Sequence, residues 1–125
     1  MLGQYLIASA PAGAEIVALS RDSSRLPAAG IARAVDIDFR DSENLAVLLA
    51  DISPDVIIHT AAEGSVDAVQ GNSADFQDIN VKVGADLARW CRDVGAHLTF
   101  VSSNAVFGGS STVYSDYSPL QSVND

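Results

Sequence analysis

Four short, mostly apolar runs stand at intervals along the chain, and their order limits the fold more than any other feature. They are Glu15–Ser20, Ala34–Ile37, Val56–His59 and Leu98–Ser102. Helix-like patterns separate the last three, and strands that are joined through helices run parallel with right-handed crossovers. The Val56–His59 run is continuous, as in a strand that is covered on both faces. The sequence therefore predicts an α/β fold built on a doubly wound parallel sheet.

Apolar residues at helical spacing mark the segments between these runs. One helix is predicted from about Asp41 to Ile52 and a second from Ser73 to Val94, where Gly95 supplies the C-terminal stop. The buried faces comprise Leu45, Leu48, Leu49 and Ile52 in the first helix, and Phe76, Ile79, Val83, Leu87, Trp90 and either Cys91 or Val94 in the second. A shorter helix is predicted over Met1–Ala10, before Pro11, and Ser110–Asp125 is predicted as a loop.

The overall charge and the cysteine content exclude several classes of function. A formal charge of -9 disfavours nucleic acid or an anionic membrane surface as a partner, because both would repel the chain. Cys91 is the one cysteine of the sequence, so no disulfide can form within it, and no Cys/His cluster of the zinc-binding type occurs. The sequence has no run of about 18 apolar residues and no signal-peptide pattern. We therefore expect a cytoplasmic protein without a bound metal.

Two neighbouring hydroxyl groups follow the last apolar run. Leu98–Ser102 leads into Ser103, and Gly108 and Gly109 close the loop that comes next. In open parallel sheets, ligands bind just beyond the carboxyl ends of the strands, so a hydroxyl at that point faces the expected site. Ser103 is therefore the candidate for catalysis. The alternative is that Ser102 and Ser103 only end a strand and begin a turn, as serine often does.

Several short motifs occur in order along the chain and together resemble one protein family. They are Asp55–Ala62 (Asp-Val-Ile-Ile-His-Thr-Ala-Ala), Val66-Asp67, Asn80-Val81, Ser102–Gly109 (Ser-Ser-Asn-Ala-Val-Phe-Gly-Gly) and Tyr114-Ser115-Asp116. This order resembles the extended short-chain dehydrogenase/reductase family. Within that family it is most similar to the dTDP-4-dehydrorhamnose reductase branch, whose segments read approximately D-V-I-I-H-A-A-A, V-D-x-A-E, V-N, S-T-D-Y-V-F-D-G and P-Y-x-E. The resemblance extends over nearly the whole chain.

The resemblance implies a Rossmann-like fold and hydride transfer between a nicotinamide cofactor and the carbonyl of a nucleotide sugar. In such a reaction a Ser or Thr hydroxyl orients the carbonyl oxygen, and Ser103 matches that residue. The resemblance assigns to the cofactor the positions Leu2, Gly3, Arg21, Asp36, Ile37, Ala61, Ala62, Glu63, Asn80, Val101 and Ser102. Glu63 departs from the aromatic residue or histidine that the family carries there, and Val69-Gln70 depart from its Ala-Glu.

Four of the polar candidates have a second interpretation. Arg21 favours NADPH over NADH, because an arginine after this strand accommodates the 2′-phosphate, but Asp22 weakens the signal and an exposed loop arginine is the alternative. For Asp36 the alternative to a contact with adenine is a strand-end turn, and for Asn80 the alternative to a place in the site is a solvated helix face. His59 lies within a strand, so we predict a hydrogen-bonded structural histidine rather than a base.

Two features of the family have no counterpart in these 125 residues. The first is a strand with a glycine-rich turn, of which Leu2-Gly3-Gln4 match only the end. In the family this strand lies between those that correspond to Glu15–Ser20 and Val56–His59. The second is the Tyr-x-x-x-Lys pair, since neither Tyr114 nor Tyr117 has a lysine four residues later. We therefore expect residues 1–125 to be a partial NAD(P)-binding Rossmann domain that lacks its first strand and its C-terminal substrate region, and to be inactive alone.

Three functions follow from these observations. The leading one is an NAD(P)-dependent reductase of a nucleotide-sugar carbonyl, whose small-molecule partner is the nucleotide sugar and whose full-length form is expected as a homodimer. The second is a non-catalytic, regulatory relative that binds a dinucleotide or a sugar nucleotide. The third is an epimerase or dehydratase of the same superfamily. A Tyr-Gly-x-x-Lys sequence after Asp125 would distinguish the first from the second.

Overall fold

A computed structural model describes residues 2–62, 78–103, 106–109 and 113–120 of the chain. These residues form the helices α1 (Leu2–Ala8), α2 (Ser42–Ile52) and α3 (Val83–Val94), and the strands β1 (Val17–Ser20), β2 (Arg33–Asp36), β3 (Val56–His59) and β4 (His97–Phe100). A short 3₁₀ turn covers Ser23–Arg25, and a π-helical turn covers Asp78–Lys82. The order confirms the predicted α/β class. The predictions for Glu63, Val69-Gln70, the start of the second helix at Ser73 and the end of the chain lie outside the described residues.

The four strands form two parallel pairs. β1 pairs with β2, so that Ser20 lies opposite Asp36, and β3 pairs with β4, so that His59 lies opposite Phe100. Within the described residues, no strand of one pair is hydrogen-bonded to a strand of the other. Parallel strands of equal register end at the same level. The carboxyl ends of each pair are therefore aligned, which confirms the parallel arrangement and places the residues after the strands side by side.

Strand pairing sets the strand boundaries and explains two differences from the sequence prediction. β3 has the predicted bounds, but β1 begins at Val17 rather than Glu15, because its partner strand begins only at Arg33. β4 ends at Phe100 rather than Ser102, because β3 supplies no partner beyond His59. Ser102 and Ser103 therefore follow the strand instead of ending it.

Local capping fixes the ends of α2. The carboxylate of Asp41 accepts a hydrogen bond from the backbone N–H of Asn44 at 3.0 Å, which satisfies one of the open donors of the first turn. At the other end Ser53 adopts a left-handed conformation, with φ at 47°, and its N–H donates to the carbonyl of Leu49 at 2.8 Å. Pro54 follows and prevents continuation of the helix. The helix thus spans nearly the predicted range.

The second helix begins, within the described residues, as the π-helical turn and continues as α3. Gly95 ends it in the left-handed conformation, with φ at 80°, as predicted. Cys91 is buried and Val94 is exposed, so Cys91 takes the position that the sequence left open. Gly84 lies against Phe100 of β4, and a Cβ atom on it would stand 2.8 Å from that ring. Gly84 therefore allows α3 to lie close to β4.

One apolar cluster lies beneath both strand pairs. Its buried members are Ile37, Leu45, Leu49, Val83 and Leu87, and the partly buried side chains packed against it are Leu19, Phe39, Leu48, Ile57, Trp90 and Leu98. The buried members on α2 and α3 have the helical spacing expected of core-facing positions. Trp90 is confirmed as a core residue. The two pairs are thus joined by side-chain packing in the region where their backbones are not paired.

Candidate functional site

The candidate residues lie at the carboxyl ends of the four strands. Arg21 directly follows β1, Asp36 is the last residue of β2, Ala61 and Ala62 follow β3, and Ser102 and Ser103 follow β4. The parallel register brings the first two together in one pair and the others together in the second pair. Ligands in open α/β folds bind on this side. The site therefore has two halves, one on each strand pair.

Two carboxylates hold the loop after β1. Asp36 accepts a hydrogen bond from the backbone N–H of Ser23 at 2.6 Å. Asp22 accepts from the N–H and the hydroxyl of Ser24 at 3.2 and 2.5 Å. The hydrogen bond from the Ser24 hydroxyl is the main cause that lowers the pKa of Asp22. For Asp36 the contacts correspond to the alternative interpretation, a turn at the strand end, and Asp22 serves as the cap of the 3₁₀ turn.

An ion pair that the sequence analysis did not identify stands beside this loop. The guanidinium of Arg40 donates to both carboxylate oxygens of Asp38, at distances from 2.6 to 3.1 Å, and the Arg40 N–H donates to Oδ1 at 3.0 Å. These bonds, together with the charges of Arg40 and Arg21, lower the pKa of Asp38 to about 2. Arg21 is therefore close enough to act on Asp38. The Asp-x-Arg spacing directly after a strand was the signal available in the sequence.

An open groove of about 580 Å³ lies between β2 and α2, next to this ion pair. It is lined by apolar side chains, Ile37 and Leu48 among them, and by the carboxylates of Asp36, Asp38, Asp41 and Asp51. Carboxylates accept hydrogen bonds and repel phosphate. The groove itself therefore suits a neutral ring or a sugar hydroxyl better than a phosphate group.

In the other half of the site, His59 is the last residue of β3, as Asp36 is the last residue of β2. Its side chain is 5% exposed and lies between Phe100, with ring centroids 5.3 Å apart, and Phe39, at 6.4 Å. Burial lowers the pKa of its imidazole below the usual value. Nε2 is buried and has no hydrogen-bond partner within the described part of the chain. The burial of His59 agrees with the predicted structural histidine, and the predicted hydrogen bond is not made by Nε2 within the described residues.

The segments after β3 and β4 are joined through the backbone. The N–H of Val101 donates to the carbonyl of His59 at 3.1 Å, and the chain continues into Ser102 and Ser103, both exposed. The N–H of Val106 donates to the carbonyl of Ser103 at 3.4 Å, so a turn begins at Ser103. The structure thus leaves Ser103 exposed just beyond the strand.

Three further candidates lie around these ends. Ala61 is half-buried and Ala62 is exposed, and their small side chains leave the backbone open to a ligand. Asn80 is half-buried in the π-helical turn, a type of helix irregularity that is frequent at functional sites. In the later loop, the ring of Tyr114 stacks on Phe107 with centroids 4.6 Å apart.

Leu2 and Gly3, the first two residues of the predicted cofactor site, lie on α1. Leu2 is half exposed, and a Cβ atom built on Gly3 would meet no heavy atom within 4 Å. A glycine in a phosphate-binding turn is needed where backbone and ligand approach closely. The space beside Gly3 is open, and its contact with a cofactor stays a prediction. Glu63 lies outside the described residues.

The carboxyl ends of the strands bring together charged, hydrogen-bond-accepting and small side chains. Arg21 and Arg40 supply positive charge, Asp36 and Asp38 supply acceptors, and Ala61 and Ala62 supply a backbone that a ligand can approach.

Among residues 2–62, 78–103, 106–109 and 113–120, no group of three or more His, Cys, Asp or Glu side chains is arranged for a metal ion. None of the helices in this part of the chain is long and apolar enough to span a membrane.

Comparisons with curated proteins give relatives of two kinds. Methionine adenosyltransferase 2 subunit beta of Xenopus laevis is 37% identical over 88 residues, which are 70% of this chain and 26% of that protein. The dTDP-4-dehydrorhamnose reductase of Burkholderia thailandensis is 31% identical over 90 residues, which are 71% of this chain and 30% of that protein. The chain thus spans less than a third of the length of either relative.

Solved structures share the fold. The UDP-glucose 4-epimerase of Thermus thermophilus, in complex with NAD, superposes with a TM-score of 0.77 over 97% of this chain and 40% of its own, at 22% identity. The dTDP-4-dehydrorhamnose reductase of Bacillus anthracis, in complex with NADP, gives 0.71 over 88% of this chain and 43% of its own, at 20% identity. A family model described as the RmlD substrate binding domain matches residues 1–124. The chain therefore belongs to the RmlD substrate binding domain family, within the extended short-chain dehydrogenase/reductases with a Rossmann-type fold.

Proposed function

We propose that residues 1–125 form the cofactor-binding part of an NAD(P)-dependent reductase that acts on the carbonyl of a nucleotide sugar. The observation that carries this proposal is the placement of the candidate residues at the carboxyl ends of two parallel strand pairs, where this fold binds ligands. Similar proteins with this fold are bound to NAD or NADP. A nicotinamide dinucleotide, when bound, supplies or accepts the hydride.

Each half of the site has its own proposed role. In the first half, the Ile37 and Asp38 end of the groove receives the adenosine, and Arg21 and Arg40 receive the phosphate that distinguishes NADP from NAD. Asp22 is already occupied as a cap, which leaves Arg21 as the side chain at the end of β1 that is suited to select between the two. We therefore propose a preference for NADPH.

In the second half, Ser103 is proposed to orient the carbonyl oxygen of the substrate. Its exposed turn beyond β4 gives the hydroxyl access to a ligand that also contacts Ala61 and Ala62. Hydrogen bonds to an oxygen that gains negative charge lower the barrier to hydride addition. The proton donor of the family, a tyrosine followed by a lysine four residues later, is not among the 125 residues.

Ligand-induced stabilisation of the 125-residue chain tests the binding part of this proposal. At a concentration of about 100 times its Kd, NADPH should stabilise the folded state by about 2.7 kcal/mol. NADH at the same concentration should raise the unfolding temperature clearly less, because we propose that it binds more weakly. Arg21→Ser should reduce the effect of NADPH and leave that of NADH unchanged. Arg25→Ser is the matched control, because Arg25 is exposed in the same loop. No stabilisation by either cofactor would contradict the proposal.

The catalytic part is tested in a protein that contains this chain together with a Tyr-x-x-x-Lys motif. Ser103→Ala should lower turnover by about 10²-fold or more, as removal of one oxyanion donor does, with little change in cofactor affinity. Ser53→Ala is the control, because Ser53 is exposed at the C-terminal end of α2 outside the site, and this variant should retain the turnover. Unchanged turnover in Ser103→Ala would remove Ser103 from the catalytic residues.

A second candidate function is that of a non-catalytic regulatory subunit. It is favoured by the similarity to methionine adenosyltransferase 2 subunit beta, at 34% to 37% identity in the rat and Xenopus laevis proteins. Such a protein would bind a dinucleotide without hydride transfer. Cofactor binding combined with no oxidation of NADPH in the presence of dTDP-4-dehydrorhamnose, in a protein that carries the whole chain, would favour this second function.

A further inference from the structure

The ring of His59 stands where the two strand pairs meet at their carboxyl ends. His59 ends β3, and its two ring neighbours come from different pairs: Phe39 follows β2, and Phe100 ends β4. In the described residues the pairs exchange no strand hydrogen bonds, so side-chain packing has to set their relative position. At this end of the sheet, the imidazole is the side chain that contacts an aromatic ring from each pair.

Both neighbours of the ring lead directly to candidate ligand-binding residues. Phe39 lies between Asp38 and Arg40, whose side chains pair. On the other side, Phe100 directly precedes the Val101–Ser103 segment, and the N–H of Val101 also donates to the backbone carbonyl of His59. A shift of the imidazole therefore displaces the Asp38–Arg40 segment, the Val101–Ser103 segment, or both.

A protonated ring would not be tolerated in this position. An imidazolium carries an N–H on both nitrogens, and Nε2 has no acceptor within the described part of the chain. The charged or titratable groups on the neighbouring segments are Asp38 and Arg40 after β2, Lys82 before α3, Asp86, Arg89, Cys91, Arg92 and Asp93 on α3, and His97 on β4. Asp38 is paired with Arg40, and Asp86 with Arg89 and Ser42. Burial of an unpaired charge is costly, so protonation drives the ring out of its place.

We propose that His59 is a positioning residue whose neutral ring holds the Asp38–Arg40 and Val101–Ser103 segments in the arrangement that binds a dinucleotide. Binding is then lost in mild acid, because protonation of His59 releases the two segments. This inference rests on the proposed cofactor function for its ligand. It adds a residue that touches neither the substrate nor the reacting atoms.

The first test follows the binding of NAD⁺ to the 125-residue chain from about pH 8 to about pH 4.5. NAD⁺ is chosen because it lacks the phosphate monoester of NADP, which titrates near pH 6. The affinity of the wild-type chain should be constant at high pH and then fall by a factor that approaches tenfold per pH unit below the imidazole pKa. His59→Phe should bind at about pH 8 within threefold of the wild type and lose this acid dependence, because phenylalanine fills the same space without titrating. His97→Gln removes the other imidazole and should retain the wild-type profile.

A second measurement separates this inference from the proposed function. In NMR spectra of the ligand-free chain, the backbone amide signals of residues 38–40 and 101–103 should shift with pH at the same midpoint as the His59 ring signals. Amides elsewhere in the chain should not follow that midpoint. Absence of NAD⁺ binding at about pH 8 would contradict the proposed function alone, since the NMR result still decides the role of His59. Amides that do not follow the ring, or a His59→Phe chain that keeps the acid dependence, would overturn the inference.

Discussion

The two halves of the site are held by different forces. At the ends of β1 and β2 the chain is exposed, and hydrogen-bonded charges fix it: Asp36 binds the backbone of Ser23, and Asp38 pairs with Arg40. At the ends of β3 and β4 the buried residue is His59, whose ring contacts Phe39 and Phe100, while Phe100 itself is 48% exposed. Exposed charges are screened by salt and remain available to a charged ligand, whereas a buried neutral ring is insensitive to salt and sensitive to protonation. One sheet edge thus combines a half suited to ionic contacts with a half suited to precise placement.

The two halves share one hydrophobic core, so they should not unfold independently. Disruption of this core should lower the free energy of unfolding more than any other change proposed here. Leu49→Ala removes a buried leucine from the cluster beneath both pairs and should lower the free energy of unfolding by about 2–5 kcal/mol. Val47→Ala is the control, because Val47 is 66% exposed on the same helix. Urea unfolding measures the total loss of free energy of unfolding, and hydrogen exchange shows how this loss is distributed over the four strands. A loss of protection confined to one pair would show that the halves unfold separately.

Acid should distinguish the two halves by their pH windows. The pKa of His59 is lowered in the folded state, so the unfolded chain binds a proton more readily, and stability falls as the pH drops below about 6.5 toward the folded pKa. Each unit between the two pKa values is worth about 1.4 kcal/mol. The pKa of Asp38 is also lowered, from 3.8 to about 2, so its contribution is lost only within that lower range. Urea unfolding at several pH values, with His59→Phe and His97→Gln compared, measures the first window. A His59→Phe chain with an undiminished loss of stability below pH 6.5 would contradict the assignment.

Removal of the N-cap of α2 should lower the free energy of unfolding by a smaller amount. This cap, Asp41, follows the Asp38–Arg40 ion pair. Asp41→Ala leaves the N–H of Asn44 without its acceptor and should cost about 1 kcal/mol. Asp41→Asn preserves a capping oxygen and should cost little, because asparagine and aspartate are similar at this position. Thermal unfolding of the two variants measures the difference. Equal losses would indicate that the charge of Asp41, and not the cap, stabilises the helix.

The surface ion pair between Arg33 and Asp51 should contribute least. The two groups are 2.8 Å apart, but both side chains are at least half exposed. A double-mutant cycle of Arg33→Ala and Asp51→Ala should give a coupling of about 0.5 kcal/mol or less, and added salt should reduce it. A coupling well above 1 kcal/mol that persists in salt would show that this ion pair is held more rigidly than its exposure indicates.

The elements with regular spacing could be predicted from the sequence, and those that depend on pairing could not. β3 and α2 lie nearly where the apolar pattern placed them, because a continuous run and a helical period are local signals. The ends of β1 and β4 depend on how far the partner strands extend, which no local pattern records. The separation of the sheet into two pairs agrees with the family resemblance, in which a strand that these residues lack lies between the strands that correspond to β1 and β3.

The site shows a similar division. The positions after the strands could be found, because parallel strands bring their carboxyl ends together. The pairing of Asp38 with Arg40 could not be ranked above other charges on spacing alone. For His59 the sequence indicated burial correctly, but the absence of a partner for Nε2 depends on the rings that enclose it.

Cys91 offers an intrinsic chemical reporter of local opening. The thiol is buried on α3, and burial raises its pKa, so alkylating reagents react with it slowly while the helix is in place. As the sequence contains one cysteine, each modified molecule has opened at this position at least once. The rate of mass increase under native conditions thus reports how readily α3 opens, and a ligand that joins the two halves of the site should slow this alkylation.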